Sequence, residues 1–359
     1  MERTDFQQDE RIQWLKFILH PGSPRPEIRD WAALFQFAQQ QAIEGICSPT
    51  QLTGDLPPKP LLLKWYVAES MIRHRNKELD RQAVVLTEKL RADGLTCCLL
   101  KGQGNARLYP DPALRDPGDI DVWVDADRGT LLAYARKQFP EAAESDKHVK
   151  FPLFEDTPVD MHDTPLKLYH PGLNRRLQQW LEENKDAQMA HAVRLAGTDA
   201  DIAVPTAAFN AVFQLGHILI HLIDEGIGLR QLVDYFYVLR ELGSAEEAQL
   251  EAVRRAWRRL GLLRLARAVM WVEREVLGLE EEFLPVPPDG RMGRRLADDI
   301  LDGGNFGRYS SRQRFRERGI AAKVADGVWH LLRLAACFPG EAFFHFCRKC
   351  RAFFDKYIN

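Results

Sequence analysis

Residues 99–124 read LLKGQGNARLYPDPALRDPGDIDVWV, and residues 158–162 read PVDMH. These two stretches decide the fold. Leu95 to Leu100 is a short apolar run of the kind that forms a buried strand. Lys101 to Gly104 is a glycine turn, Asn105 to Tyr109 has room for one helical turn, and PDPALRDPG is a loop. Asp119 to Val124 alternates polar and apolar and predicts a second strand. Arg128 to Gln138 is helical in pattern, and Val149 to Phe154 and Val159 to His162 predict two more strands. The result is a small mixed α/β unit, strand–helix–strand–helix–strand–strand.

Outward from this unit the texture becomes helical on both sides. Pro26 to Ile46 carries Ile28, Trp31, Leu34, Phe35, Ala38 and Ile43 near helical spacing, and TGDLPPKP at 53–60 breaks it. A long helix comes next, with Trp65, Ala68, Ile72, Leu79, Ala83, Leu86 and Leu90 on one stripe, and Asp93-Gly94 stops it. After residue 165 the expected helices are Leu173–Asn184, Thr206–Ile223, Leu229–Leu242, Ala245–Leu260, Leu262–Leu277, Gly293–Leu301 and two within Ala321–Asn359. The expected class is therefore α+β: a small mixed-sheet core at 94–165 between an N-terminal helical region at 1–93 and a C-terminal helical domain at 166–359.

Asp119 and Asp121 are two apart on the predicted strand, so both carboxylates face the same way while Ile120 and Val122 face the core. Adjacent like charges repel unless neutralised. On that ground alone, Asn at 119 or 121 should keep or slightly raise the metal-free melting temperature. A divalent cation is a good neutraliser, and magnesium favours oxygen ligands completed by water and substrate phosphates. Asp160 lies on the later strand. Three carboxylates from two neighbouring strands suit a pair of metal ions, one activating an attacking oxygen and one holding a triphosphate. The glycine turn offers backbone N–H groups to phosphate through Gly102 and Gly104, and Lys101 or Arg115 offers positive charge. The plainer reading is that these glycines only make a tight strand-to-helix turn. The G-x-x-x-x-G-K-[ST] pattern is absent, so the turn is not a P-loop.

With these residues in place, the central sequence resembles the uncharacterised bacterial nucleotidyltransferase family of the DNA polymerase β-like superfamily. Gly102 and Gly104 match its glycine turn, Asp119 and Asp121 its metal pair, and Asp160 its third acidic residue. The chain departs from the common Gly-Gly or Gly-Ser turn with Lys-Gly-Gln-Gly. The segments HILIHLIDEGIGLRQLVD (217–234) and GGNFGRYS (303–310) extend the likeness more loosely. The resemblance implies a magnesium-dependent enzyme, with manganese as a substitute, that transfers NMP from an NTP. It leaves the acceptor open among tRNA, a protein hydroxyl, a small molecule or a sugar, and asks for no membrane partner.

Composition agrees with an ordinary globular enzyme: 359 residues, 45% apolar, 28% charged and a net charge of −2. No global basic field draws the chain to polyanions. The N-terminal twenty residues do not read as a signal peptide and no apolar run suggests a membrane span, so a cytoplasmic protein with reduced thiols is expected from its six cysteines.

Other features have two readings. His217 and His221 are four apart on a predicted helix near Asp224, Arg230 and Asp234; zinc binding competes with a polar seam facing the nucleotide cleft and with hydrogen bonding inside the core. Cys347 and Cys350 beside His345 form a lone C-x-x-C, a metal or redox pair or two small residues on a packed face. Arg308, Arg312, Arg314, Arg316 and Arg318, and on a helix Arg254, Arg255, Arg258 and Arg259, are solvated faces or phosphate grips. Trp65, Trp257, Trp271 and Trp329 read as core or interface packing. Two rival functions stand beside the first: a catalytically silent nucleotidyltransferase fold used for interaction, and a glycosyltransferase whose Asp-x-Asp holds a nucleotide sugar. The latter would need βα units before the motif, where helices are expected.

Overall fold

A computed structural model of the protein describes residues 6–195, 197–310, 319 and 338–357. At its centre is a four-stranded mixed sheet built from β1 (Cys97–Leu99), β2 (Ile120–Val124), β3 (Val149–Lys150) and β4 (Val159–His162), in the order β1-β2-β4-β3. β2 runs antiparallel to β1 and parallel to β4, and β4 is antiparallel to β3. The parallel pairing places Asp121 directly beside Asp160.

Strand alternation divides the sheet's two faces. Ile120, Val122 and Val124 point into a core with Leu79, Leu86 and Leu90 of α3 (Lys59–Ala92) and Leu131 and Ala135 of α5 (Arg128–Gln138). Fully burying each such side chain contributes about 1.5–3 kcal/mol. On the other face Trp123 stacks on Phe209, ring centroids 5.8 Å apart. Asp121 shares that second face and is buried with it.

The second face packs on α7 (Ala207–Asp224) and α8 (Leu229–Gly243), within a larger core. That core also takes Trp14 and Leu15 of α1 (Glu10–Leu19), Trp31 and Leu34 of α2 (Trp31–Gln41), Trp65 of α3, and Trp257 and Trp271 from α9 (Glu247–Arg259) and α10 (Leu263–Glu275). The expected N- and C-terminal helical regions thus share one interior. Gln41 ties them as well: its Nε2 donates to the Ile300 carbonyl on α11 (Gly290–Gly303) at 3.1 Å, and its Oε1 accepts from Leu229 N–H at 2.9 Å. The remaining elements are α4 (Gln103–Ala106), α6 (Pro171–Ala190), a hairpin of β5 (Ala192–Arg194) and β6 (Asp201–Ala203), and α12 (Pro339–Tyr357).

Most expected elements are present, with α5 and β4 at the expected residues. The expected strand at 149–154 is shorter. Phe151 N–H still donates to the Val159 carbonyl at 2.9 Å, but Leu153 N–H bonds back to the Phe151 carbonyl at 2.7 Å and the chain turns away from β4. The hairpin is new: each arm has three residues, too few for alternation to register. The expected absence of a membrane-length apolar run is corrected at α7. That helix is 18 residues long and apolar enough to cross a membrane, although most of it is buried inside the protein as a core helix is. Trp329, Cys337, Arg312, Arg314, Arg316 and Arg318, and the first of the two helices expected after Ala321, lie outside the described residues.

Candidate active site

A cavity of about 300 Å³ lies between the sheet's second face and α7 and α8. Asp119, Asp121 and Asp160 all line it, with one carboxylate oxygen of each within 4.8 Å of the others. Three hard oxygen donors at that spacing fit magnesium or manganese. Among the described residues this is the one group of acidic, histidine or cysteine side chains gathered closely enough to hold an ion.

The three carboxylates are not equivalent. Asp119, at the edge of β2, is exposed. Asp121 is buried and fully engaged: Lys101 Nζ meets Oδ2 at 2.7 Å and His162 Nε2 meets Oδ1 at 2.8 Å. Burial pushes the Asp121 carboxyl up, but the Lys101 charge and the His162 contact outweigh it and hold the carboxyl well below its ordinary range. Asp160 feels His162 and Lys101 only at a distance, and they are outweighed. Burial, then the charges of Asp121 and Asp119, push it up to about 6. His148 Nδ1 lies 3.3 Å from Asp160 Oδ2, yet burial and the neighbouring His162 push that imidazole down to about 4. The repulsion expected within the Asp119–Asp121 pair is therefore relieved at Asp121 by Lys101 and His162, and the strain falls on Asp160.

Lys101 thus stands where a metal's charge is wanted, which supports the fit of a cation. It also contacts His217, Nζ to Nε2 at 3.2 Å, and His217 meets His221, Nε2 to Nε2 at 2.8 Å. His221 Nδ1 in turn meets Glu225 at 2.8 Å. Both histidines line the cavity, so the polar-seam expectation describes their place, and neither joins a metal-ligand cluster among the described residues. Burial, then Lys101 and His221, hold His217 well below the ordinary imidazole range.

The glycine turn separates into two roles. Gly102 lines the cavity and has φ 56°, ψ −115°, a backbone state closed to side chains with a Cβ. Gly104 sits inside α4, where a Cβ would come 3.2 Å from the Leu99 carbonyl oxygen and 3.5 Å from Val204, and its N–H already donates to the Lys101 carbonyl at 2.9 Å. Close helix-to-strand packing accounts for that glycine, and its amide is engaged within the turn. Arg115 also lines the cavity, but its Nε and Nη2 grip Asp234 at 2.7 and 2.8 Å. Tyr109 donates to the same carboxylate at 2.7 Å. Arg115 is thus a buried tie between the loop before β2 and α8.

Elsewhere the plainer readings describe the structure. Arg254 and Arg258 on α9 pair with Glu247 and Glu251, and Arg259 pairs with Glu183. His345 packs on Tyr169, ring centroids 4.7 Å apart, rather than grouping with Cys347 and Cys350. The five described cysteines are free thiols. Sequence reading missed His162, although period two on β4 places it on the face of Asp160. It also missed His148 and the cavity position of Arg230, which are set by tertiary packing.

No curated protein matches the chain. Among solved structures, an antigenic nucleotidyltransferase-like protein from Paracoccidioides brasiliensis is similar, at 16% identity and a TM-score of 0.35, covering 56% of this chain and 93% of that one. A family model described as uncharacterised nucleotidyltransferase matches residues 27–278, from before α2 to beyond α10, and includes the turn, the three carboxylates and both cavity helices. The chain belongs to that uncharacterised nucleotidyltransferase family.

Proposed function

We propose that the protein is a magnesium-dependent enzyme that transfers NMP from an NTP to an acceptor hydroxyl or phosphate, in the cytoplasm. The observation that carries this reading is the convergence of Asp119, Asp121 and Asp160 in one cavity beside the Gly102 turn. Magnesium or manganese, when bound, would neutralise the triphosphate and activate the acceptor oxygen. Asp119, Asp121 and Asp160 would hold it. His162 orients Asp121 from the side away from Lys101. Asp160, whose carboxyl is far more easily protonated than that of Asp121, would take the proton from the acceptor oxygen. Lys101 neutralises Asp121 in the metal-free protein; once Asp121 is otherwise neutralised, its ammonium would be free to meet a phosphate oxygen.

The test is to incubate the protein with each labelled NTP, magnesium and cell extract, and to track the label into RNA, protein or small molecules. Magnesium-dependent transfer that Asp119→Asn abolishes is the expected result. Stabilisation by nucleotide sugars alone, with no transfer from any NTP, would overturn it in favour of the glycosyltransferase. A silent fold is the second reading, favoured by one observation: both Asp121 oxygens already have protein partners. In that case neither magnesium nor any NTP would raise the melting temperature.

A further inference from the structure

Positive charge around the cavity is unevenly engaged. Lys101 meets Asp121, Arg115 grips Asp234 through Nε and Nη2, Lys147 meets Asp224 at 2.7 Å, and the exposed Lys167 meets the Asp146 carbonyl at 3.4 Å. Arg230, the second residue of α8, is different. Its Nη1 donates to the Pro117 carbonyl at 3.1 Å, and its guanidinium carbon lies 5.8 Å from the Phe306 ring centroid. Among the described residues no carboxylate lies within ion-pair distance of it. A guanidinium has five N–H donors. One is accounted for by the Pro117 carbonyl, and Arg230 lines the cavity.

Its position is specific. A Cβ built on Gly118 would lie 3.6 Å from Arg230 Nη1 and 3.9 Å from Nη2. The planar fork therefore reaches from α8 to the backbone immediately before Asp119. Burial, and then the Arg115 charge, weaken the guanidinium's hold on its proton. A half-buried cation with a single neutral acceptor keeps donors that an anion would complete. The structural alternative is that Arg230 balances nearby carboxylates at longer range. Asp234 is already bound on both oxygens by Arg115. Asp116 is pushed up to about 7 by burial and so loses much of its charge near neutrality. Neither has much need of a second counter-ion, and Asp119, the third carboxylate whose charge Arg230 feels, is exposed to solvent.

We infer that Arg230 grips the polyphosphate tail of the nucleoside triphosphate. This rests on the nucleotidyltransferase reading. An arginine fork offers parallel N–H donors that match phosphate oxygens, which a lysine cannot reproduce. Its place beside Gly118 puts it within reach of a triphosphate lying against Asp119.

The experiment is calorimetric titration of magnesium alone, magnesium with inorganic tripolyphosphate, magnesium with ATP, and inorganic phosphate into wild type, Arg230→Met, Arg230→Gln and Arg230→Lys. Removing the fork should weaken ATP and tripolyphosphate alike, by about tenfold to a hundredfold, the loss of a charge-assisted hydrogen bond. Magnesium alone should bind unchanged, and Arg230→Lys should recover part of the affinity. If Arg230→Met melts early, Arg230→Gln, which keeps a polar amide at the place of Nε, carries the comparison. ATP and tripolyphosphate affinities within twofold of wild type in a folded variant would overturn the inference. So would selective loss of inorganic phosphate binding with ATP unaffected, which would assign Arg230 to an acceptor's phosphate. Wild type that binds tripolyphosphate through Arg230 but never ATP would keep the polyphosphate site and remove the nucleotide reading. Wild type that binds neither would remove both.

Discussion

Asp160→Asn should stabilise the metal-free protein, and the size of the effect comes from the site. Burial and the charges of Asp121 and Asp119 push the Asp160 carboxyl from 3.8 up to about 6. At about 1.4 kcal/mol for each pKa unit, keeping that group ionised costs the folded state roughly 3 kcal/mol at pH 8. Below about pH 4 both the folded and the unfolded chain hold the proton, and the penalty is absent. As pH rises toward 6 the unfolded chain releases it first, so stability falls; above 6 the full penalty is present. Asn removes the charge and keeps a polar contact for His148, so between about 1 and 3 kcal/mol should return. In a chain of this length that is a rise of about 1–4 °C in melting temperature. The assay is thermal melting of both proteins in EDTA from pH 4 to 8, repeated with magnesium and NTP. The curves should coincide near pH 4, part between 4 and 6, and stay apart above 6. On the proposed function their order should reverse with magnesium and NTP, because the variant lacks a ligand. Asp160→Asn melting below wild type at pH 8 in EDTA would refute the reasoning.

Asp121→Asn should do the opposite. It strands Lys101 and His162, so the metal-free protein should lose on the order of 3 kcal/mol near neutrality. Because the Asp121 carboxyl is held well below its ordinary range, that loss should shrink as pH falls below about 4, which melting in EDTA reads directly. Transfer activity should fall about 10²–10³-fold. Glu273 on α10 is fully buried, and its two carboxylate oxygens have no hydrogen-bond partner among the described residues; burial pushes its carboxyl well above the ordinary range. Glu273→Met should therefore stabilise by about 1–3 kcal/mol at neutral pH, with the gain growing as pH rises above about 4.5, measurable by calorimetric melting. Gly102→Ala forces a side chain into a glycine-only conformation. It should cost about 1–3 kcal/mol of stability and weaken binding of magnesium with ATP in titration; unchanged values for both would mean the turn adapts freely.

The site's acidic half was legible because it is local in sequence. Period two in DIDVWV puts Asp119 and Asp121 on one face and Ile120 and Val122 in the core, and the same period in PVDMH brings Asp160 in. Pairing β2 parallel to β4 then sets Asp121 beside Asp160. The basic half was not legible, because each cation's role depends on which distant carboxylate reaches it. Lys101 and Arg115 are alike in sequence as phosphate partners. One sits on Asp121, and the other is bound to Asp234, 119 residues away. In sequence Arg230 is only a neighbour of two histidines, and the packing of α8 against Gly118 is what brings it to the cavity. Likewise the spacing of Trp14, Trp31 and Trp65 announces buried helix faces, but not that those faces share their core with α7 and α8.

That division explains why the central α/β unit alone would make a poor enzyme. The sheet supplies three carboxylates and one lysine, a wall whose negative charge is only partly balanced. His148 and His217 are both held toward the neutral form, by burial first, so they add little positive charge to it near neutrality. The facing wall comes from α7 and α8, and it is α8 that contributes Arg230 and, through Asp234, fixes Arg115 in the loop leading to Asp119. On the proposed function, a cation and a polyphosphate arriving together suit such a cavity better than either alone. Asp119, Asp121 and Asp160 would hold the cation, whose charge would release Lys101 from Asp121, and Lys101 and Arg230 would then both be available to phosphate. Magnesium and NTP should therefore bind with positive coupling, each tightening the other's affinity by the same factor.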